Sequence, residues 1–559
     1  MMPASDQPGG WWFNNFLHPD YQDYIEAHVI ELLDNYDIDG LFFDILFFHN
    51  NAGWSPASRA FRETHKLTGR DAATMARFST LAQTNFTSRF TRLVRSKTKT
   101  ASIFYNSVNP INADSTVGVR SRHEDQSHWE LESLPSGFWG YHHFPRLARA
   151  FGGWGKPWLG QTGRFQRMWG DFGGLKPQPA LEYETFRTQA LGGANLIGDQ
   201  LPPRGELDRG AYALIGKVYA QCEAAEPFYT GAVTIPTVGI IAPGDPTVDS
   251  DLSDKTLEGC VMMCDEAHYD SQVLDDASDF NGFDLVILPD SVVVTDTLKT
   301  KLDTYLRNGG KLIASHNSGF AADGRNRIDA LDIEKLGNEE ITPTYWRTDA
   351  AFEENLALSD RVVYRPGNKI RAGENFEVLV ERVLPYFKRT DLTFCSHFQA
   401  PPLKDPDEHP SVVGNSQAVY FADPIFREFR ETGNIAVRDG WVAAMQKLIG
   451  PSPIGHGLPT TVLCVPLRNG NDLHLTLLHY IPTRKAIETD MIEERGSFAG
   501  EQLRLPPATA EVIDWETGTS LKKLENGTFE LPAKKGRLLL KVPGLLGPAG
   551  FELCKNPHQ

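Results

Sequence analysis

The chain has 559 residues, which is too long for a single hydrophobic core, so two or three domains are expected. Its composition, with 41% hydrophobic and 23% charged residues, is typical of a folded globular protein and excludes a disordered chain. The formal net charge of -17 argues against a nucleic-acid or anionic-membrane partner, because surfaces that bind either one are basic.

Membrane insertion and secretion are not expected from this sequence. No apolar run approaches the roughly 20 residues needed to span a bilayer. The first residues, "MMPASDQPGGWWFNN", lack the basic and then apolar segments of a secretory signal. We therefore predict a cytoplasmic protein. The six cysteines are scattered without C-x-x-C spacing, and no motif for a cofactor or metal ion is present, so neither is expected.

Strand-like and helical runs alternate from residue 11 to about residue 229. The strand-like runs are "GGWWFNNF", "GLFFDI", "ASIFYNSV", "HWELESLP", "KPWLGQTGRF" and "ANLIGDQLP". This alternation predicts an α/β fold with a parallel sheet covered by helices. Several strands end in polar residues before Gly- or Pro-rich loops, which is typical of the catalytic face of a (β/α)8 TIM-type barrel. We assign residues 1–230 to this barrel.

Two further domains are predicted after the barrel. The strands "VTIPTVGIIAP", "FDLVILPD" and "GGKLIASHN" alternate with helical runs and indicate a flavodoxin- or amidotransferase-like α/β domain over residues 231–450. Short alternating runs such as "DLHLTLLHYI" and "GRLLLKV", separated by turn signals, predict a small β-sandwich over residues 451–559.

Asp44 ends the apolar run "GLFFD". Removing a carboxylate from water is costly, so an aspartate at this position either reaches solvent at a strand end or is strongly hydrogen-bonded. A helix cap or a structural ion pair explains its position as well as catalysis does. Asn106 ends the next strand-like run, "ASIFYN", and is a candidate substrate-binding residue.

The stretch "HWELESLPSGFWGYHH" places Glu130 and Glu132 two residues apart in a predicted strand, so both side chains face the same way. Trp139 and Tyr141 follow them. Aromatic faces and hydroxyl donors suit a sugar, whose C–H faces stack on rings. An aromatic cluster packed under a loop explains either ring equally well.

Later strand ends carry more polar residues. "TGRFQRMWGDFGG" contains Arg164, Trp169 and Asp171, and "IGDQLPPRGELD" contains Asp199. The carboxyl ends of parallel strands meet at one edge, so these side chains are candidates for one substrate site. Two carboxylates within aromatic walls are the groups that a glycosidase uses, one as nucleophile or base and the other as acid.

The segments "YDIDGLFFDI", "ELESLPSGFWGY", "GQTGRFQRMWGDFGG" and "IGDQLPPRGELD" resemble the barrel of glycoside hydrolase family 151, the α-L-fucosidase-type enzymes. The segments "EAHYDSQVLDDASDFNGFDLVILPD" and "LRNGGKLIASHNSG" resemble the β-galactosidase trimerisation domain. Together the resemblance covers most of residues 11 to about 440.

This resemblance implies a retaining, exo-acting α-L-fucosidase and a homo-oligomer, either a trimer or a dimer. Asp44 matches the aspartate that serves as nucleophile. Glu132 is assigned as acid/base from its strand position, with Glu130 as the reserve candidate. In a retaining enzyme the two carboxyl groups lie about 5 to 5.5 Å apart.

Two alternatives to the fucosidase remain open. A β-galactosidase-type enzyme shares the trimerisation domain, but those enzymes use two glutamates where this chain has Asp44. A degenerate, carbohydrate-binding protein is the non-enzymatic alternative. Only five or six barrel strands are recognisable where a complete barrel has eight, so we expect the chain to lack the first strands and the sugar-binding residues they carry.

Overall fold

The computed structural model describes residues 13–46, 48, 52–106, 111–243, 250–321 and 325–546. The described chain divides into two compact units. Unit 1 contains the residues up to Glu130 with Lys156–Trp158, and unit 2 contains Leu131–Gly155, Leu159–Pro243 and the residues from Asp251 onward. The predicted strand "GGWWFNNF" lies partly outside the described residues, and its described part, residues 13–16, forms no strand.

Unit 1 is built from a parallel strand pair and the helices that cover one of its faces. Its elements are α1 (Pro19–Asn35), β1 (Gly40–Phe43), α2 (Pro56–Thr64), α3 (Ala72–Lys97) and β2 (Ser102–Tyr105). Side chains of α3, including Phe78, Phe86 and Phe90, form a buried core with Ile103 and Tyr105 of β2. Because side chains alternate along a strand, the residues adjacent to Ile103 and Tyr105 in β2 point to the opposite face of the strand pair.

A three-stranded sheet follows, with the strand order β3-β4-β5. Its elements and the helices between and after them are β3 (Trp129–Glu132), α4 (His143–Phe151), β4 (Trp158–Gly163), α5 (Gln178–Ala190), β5 (Ala194–Gly198) and α6 (Arg209–Tyr229). β4 and β5 are parallel and in register from Leu159 opposite Ala194 to Gly163 opposite Gly198. The α/β character predicted for this region is confirmed. A closed barrel remains a prediction.

A nine-stranded mixed sheet in unit 2 has the order β13-β12-β15-β16-β17-β10-β9-β7-β8. Strands β8, β7, β9, β10 and β17 pair in parallel, as predicted for a flavodoxin-like layer, and the other four strands add to it in antiparallel fashion. The elements from β6 to α10 are β6 (Val233–Thr234), β7 (Val238–Ile241), α7 (Ser250–Glu266), β8 (Ser271–Leu274), β9 (Leu285–Leu288), α8 (Asp296–Arg307), β10 (Lys311–Ser315), β11 (Ile333–Asn338), β12 (Thr344–Arg347), β13 (Arg361–Val363), β14 (Asn368–Ala372), β15 (Glu377–Val383), β16 (Val412–Gly414), β17 (Ala418–Phe421), α9 (Ile425–Thr432) and α10 (Ile435–Ile449).

The last part of the chain forms a six-stranded antiparallel sheet of order β24-β23-β26-β19-β18-β6. Alternate leucines of its central strands, such as Leu475 and Leu540, share one buried core. The remaining strands are β18 (Val462–Asn469), β19 (Asp472–His479), β20 (Thr483–Ala486), β21 (Thr489–Met491), β22 (Gln502–Leu503), β23 (Ile513–Asp514), β24 (Thr519–Ser520), β25 (Phe529–Glu530) and β26 (Gly536–Val542).

One connection differs from the sequence prediction. The run "VTIPTVGIIAP" was expected to form one strand of the middle domain, but it contains two strands that belong to different sheets. Val233 and Thr234 pair with Arg468 and Leu467 of the C-terminal sheet, whereas Val238–Ile241 enters the nine-stranded sheet. Pro236 separates the two strands, since proline cannot donate a backbone hydrogen bond to a continuous ladder.

Candidate functional site

Asp44 and Asn106 leave neighbouring parallel strands at the same edge of unit 1. β1 and β2 are in register from Gly40 opposite Ser102 to Phe43 opposite Tyr105, and each candidate residue comes directly after the last pair. The side-chain amide of Asn106 donates a 2.8 Å hydrogen bond to Oδ1 of Asp44. Asp44 is exposed, so its second carboxylate oxygen is available to a ligand.

The direction of these two side chains follows from strand alternation. Phe43 and Tyr105 pack toward the helices, with their rings stacked 4.8 Å apart. Phe42 and Phe104 therefore face the other way, with ring centroids 5.1 Å apart. Asp44 and Asn106, two residues further along each strand, share the face of Phe42 and Phe104. Ile45 then adopts a φ of 57°, a conformation rarely accessible to a β-branched residue, so the chain turns sharply just after Asp44.

Asp44 lines a cavity of about 410 Å³ within unit 1. Aromatic side chains, including those of Phe13, Tyr21 and Phe42, form much of its wall. Phe42 is 47% exposed, so its ring is accessible from this side. A carboxylate beside accessible aromatic rings matches the pattern of a sugar-binding site.

Glu130, the reserve candidate for acid/base, has a partner within unit 1. Its Oε1 lies 2.9 Å from Nε2 of His128, and the Glu130 side chain is only 10% exposed. The ring of His128 lies 5.7 Å from that of Phe104, on the face that carries Asp44 and Asn106. His128 was not predicted as a site residue. The sequence could have indicated it, because residues two apart in an extended segment share a face and His128 lies two residues before Glu130.

Glu132 is the last residue of β3 and lies in unit 2. Trp129 and Leu131 are buried, whereas Glu130 and Glu132 are both half-buried, which confirms that the two glutamates alternate with the apolar side chains. Asp44 belongs to unit 1 and Glu132 to unit 2. The carboxyl separation expected for a retaining enzyme therefore stays a prediction.

Arg164 and Asp199, which follow β4 and β5, form an ion pair. Nε of Arg164 lies 2.9 Å from Oδ1 of Asp199, and Nη1 donates a 2.8 Å hydrogen bond to the carbonyl of Gly174. The two side chains are 3% and 10% exposed. Arg164 therefore closes the base of the loop over residues 165–175. Direct contact of either residue with a substrate remains a prediction.

Trp169 and Asp171 are held on that loop. The Trp169 ring packs against Gly198, where an added Cβ would lie 2.2 Å from Cη2, and near Gly163, where the distance to Cε3 would be 3.8 Å. Trp169 thus covers the ends of β4 and β5 while remaining half-buried. The carbonyl of Asp171 accepts a 2.9 Å hydrogen bond from Gly174, which forms a turn that leaves the half-buried carboxylate in the loop.

Trp139 and Tyr141 differ in their accessibility. Trp139 ends a short π-helical turn over Pro135–Trp139, is half-buried, and lies 4.8 Å from the ring of His143. Tyr141 is only 3% exposed, and its hydroxyl donates a 3.2 Å hydrogen bond to Glu184. Burial, together with the charge of Glu184, raises the pKa of Tyr141 well above its usual value. The hydroxyl predicted to bind a sugar is thus engaged inside the protein.

The partner of Tyr141 belongs to a buried network that the sequence did not predict. Nζ of Lys176 lies 2.8 Å from Glu184 and 2.9 Å from the hydroxyl of Thr162, and both charged side chains are almost fully buried. Burial lowers the pKa of Lys176. Because Lys176 ends the loop that carries Trp169, the network anchors that loop to β4 and α5.

The chain is similar to enzymes of known structure over most of its length. The family model of the β-galactosidase trimerisation domain matches residues 264–330, a segment that contains β8, β9 and β10. The α-L-fucosidase isoenzyme 2 from Paenibacillus thiaminolyticus is 28% identical and superposes with a TM-score of 0.85, covering 96% of this chain and 82% of its own. Over most of its length the chain is thus similar to a glycoside hydrolase.

Two β-galactosidases share the fold of this chain at lower identity. The cold-adapted enzyme from Rahnella sp. R3 is 14% identical with a TM-score of 0.66, and covers 94% of this chain and 82% of its own. The enzyme from Bacillus circulans sp. alkalophilus is 11% identical with a TM-score of 0.68, and covers 95% and 84%. No match is found among the curated proteins.

The described helices give no sign of membrane insertion. None of them combines the length and the apolar character needed to cross a bilayer.

The predicted resemblance to fucosidase-type glycosidases with a trimerisation domain is confirmed by the matches to the trimerisation-domain family model and to the fucosidase structure.

Proposed function

We propose that the chain is a retaining, exo-acting α-L-fucosidase. The observation that carries the proposal is the hydrogen-bonded pair of Asp44 and Asn106 at the carboxyl edge of two parallel strands. Aromatic side chains line the adjoining cavity, and the fucosidase from Paenibacillus thiaminolyticus supports the choice of sugar. The proposed architecture is a β/α barrel over residues 1–230, an amidotransferase-like domain over residues 231–450 and a β-sandwich over residues 451–559.

In the first step, the carboxylate of Asp44 attacks the anomeric carbon of the fucosyl group. The hydrogen bond from Asn106 holds Oδ1, so Oδ2 is the oxygen positioned for attack. Glu132 donates its proton to the glycosidic oxygen as the bond to the aglycone breaks. The aglycone leaves as an alcohol, and the fucosyl group remains covalently attached to Asp44.

In the second step, Glu132 acts as a base. It removes a proton from a water molecule, and the hydroxide oxygen forms a bond to the anomeric carbon while the bond to Asp44 breaks. Fucose with retained configuration is released, and Glu132 is protonated again. Glu132 is assigned this double role from its position at the end of β3, and Glu130, which is paired with His128, is the reserve candidate.

Self-association is part of the proposal. The β-galactosidase trimerisation domain matches residues 264–330, and the sequence resemblance implied a homo-oligomer. We therefore propose that the working form contains more than one copy of the chain.

Hydrolysis of 4-methylumbelliferyl α-L-fucoside and of the matching β-D-galactoside tests the function. Turnover of the fucoside with little turnover of the galactoside is expected, and Asp44→Asn abolishes it. Asp39→Asn is the matched control, because Asp39 is an exposed aspartate at the other end of β1. A preference for the galactoside would favour the β-galactosidase alternative. Loss of both activities with sugar binding retained would favour the non-catalytic one.

A further inference from the structure

The connection between β15 and β16 in unit 2 forms an ordered arm over residues 386–399, which we name the 386–399 arm. At its base, the backbone N–H of Tyr386 donates a 2.8 Å hydrogen bond to Pro401, and that of Leu403 donates a 2.9 Å hydrogen bond to Leu384. Thr390 and Thr393 exchange backbone hydrogen bonds at 2.9 and 3.3 Å near its turn. The arm is thus held in shape by its own backbone.

Large apolar side chains cover this arm and remain exposed. Tyr386 is 69%, Leu392 95%, Phe394 69% and Phe398 84% exposed. An aromatic side chain buries about 150–250 Å² in a contact, so the exposed parts of the three aromatic side chains offer roughly 300–550 Å², to which Leu392 adds. Exposed apolar patches of several hundred Å² are often functional and mark interaction sites.

The charge on the arm is opposite in sign to that of the whole chain. Lys388 and Arg389 outnumber the single acidic residue, Asp391, so the arm carries a formal charge of +1 on a chain whose net charge is -17. A locally cationic arm is attracted to acidic side chains, and a second copy of this chain has an excess of them, with 72 acidic and 55 basic residues.

We propose that the 386–399 arm docks on a second copy of this chain. The arm extends from the nine-stranded sheet whose strands β8 to β10 lie in the segment that matches the trimerisation domain. Its exposed apolar side chains would provide a substantial part of the about 800 Å² that each partner buries in a stable interface. The inference rests on the proposed self-association and adds the surface that makes the contact.

Sedimentation of the full chain tests the inference. The monomer mass is 62.3 kDa, and the wild-type protein is expected to sediment as a multiple of it. Leu392→Asp and Phe398→Asp are expected to weaken association about 30-fold or more each, because buried apolar anchors dominate interface energies. Both side chains are exposed within the chain, so neither change removes core packing.

Ile487→Asp is the matched control, since Ile487 is 91% exposed in the turn between β20 and β21 and receives the same added charge. It is expected to sediment like the wild type. A monomeric wild-type protein would overturn both the self-association and the arm. A wild-type oligomer that persists unchanged in both arm variants would overturn only the proposal that the 386–399 arm makes the contact. Fucoside turnover is measured separately and tests neither the self-association nor the contact.

Discussion

The side-chain amide of Asn106 donates a 2.8 Å hydrogen bond to Oδ1 of Asp44, and these two residues follow neighbouring parallel strands. The backbone reinforces the arrangement, because the N–H of Asn106 donates to the carbonyl of Phe43 and the N–H of Leu46 donates to the carbonyl of Asn106, both at 2.8 Å. Asn106 is thus fixed at both its backbone and its side chain. We infer that it is a positioning residue for the proposed nucleophile.

Asn106→Ala is expected to lower kcat on the fucoside about 10- to 100-fold with a smaller change in KM, because an incorrectly oriented nucleophile reduces the rate of attack. Asn106→Asp is expected to change the pH dependence of kcat/KM as well. A second carboxylate beside Asp44 disfavours the ionised form, so the acidic limb of the kcat/KM profile moves to higher pH. An identical pH profile in Asn106→Asp would show that this contact does not act on the nucleophile.

Azide rescue distinguishes the two carboxylates by the configuration of the product. In Asp44→Ala, azide replaces the nucleophile and attacks from its side, so an activated α-L-fucoside is expected to yield the inverted β-fucosyl azide. In Glu132→Ala, the covalent intermediate still forms and azide attacks it in place of activated water, so the α-fucosyl azide is expected. Proton NMR of the anomeric signal identifies each product. Rescue of Glu130→Ala in place of Glu132→Ala would transfer the acid/base role to Glu130.

The strand ends were predictable where burial leaves a clear pattern. "GLFFD" has apolar side chains on both faces of β1, so the change to a polar residue at Asp44 marks the strand end. The last strand, Gly536–Val542, coincides with the quoted run "GRLLLKV" for the same reason. By contrast, the short alternating run "ATAEVIDW" also predicts a strand of the C-terminal domain, but only Ile513–Asp514 of it forms one, because short polar strands depend on their neighbours for pairing.

The roles of several candidate residues were not predictable from the sequence. Arg164 and Asp199 remain candidate substrate-binding residues, but their pairing with each other was not predicted, because it depends on β4 and β5 being adjacent and in register. Tyr141 donates to Glu184, a residue whose burial depends on how α5 packs. Such pairings arise from tertiary contacts between distant segments, which neither the hydrophobic pattern nor the spacing of one segment reveals.

Gly198→Ala tests the role of Trp169 at the ends of β4 and β5. The added methyl group would lie 2.2 Å from Cη2 of the indole, so the ring must move. We expect KM for the fucoside to rise several-fold and the protein to lose about 1–3 kcal/mol of stability from overpacking. Gly163→Ala is the matched control, because its closest contacts are 3.2 Å away and Trp169 lies at 3.8 Å. An equal KM for the fucoside in both variants would show that the position of Trp169 does not affect substrate binding.

Asp290 provides a test of stability that is independent of the proposed site. Its Oδ1 accepts a 2.7 Å hydrogen bond from the hydroxyl of Ser315, and its Oδ2 accepts a 2.8 Å hydrogen bond from the backbone N–H of Arg427 in the first turn of α9. It thereby joins the ends of β9 and β10 to that helix, with its own φ at 42°. Burial raises the pKa of Asp290 from 3.8 to about 6, despite these hydrogen bonds.

The sign of the pH dependence follows from that shift. Between about pH 4 and pH 6 the folded chain holds a proton on Asp290 that the unfolded chain has released, so this contribution to stability is present below pH 4 and is lost as the pH rises through 6. Asp290→Asn cannot ionise. The free energy of unfolding of Asp290→Asn, measured by urea denaturation, is therefore expected to rise relative to that of the wild type across this range, by up to about 3 kcal/mol. Asp329→Asn, at a 94% exposed side chain, is expected to show no such gain. A constant difference between Asp290→Asn and the wild type from pH 4 to pH 7 would contradict the coupling of this carboxyl group to folding.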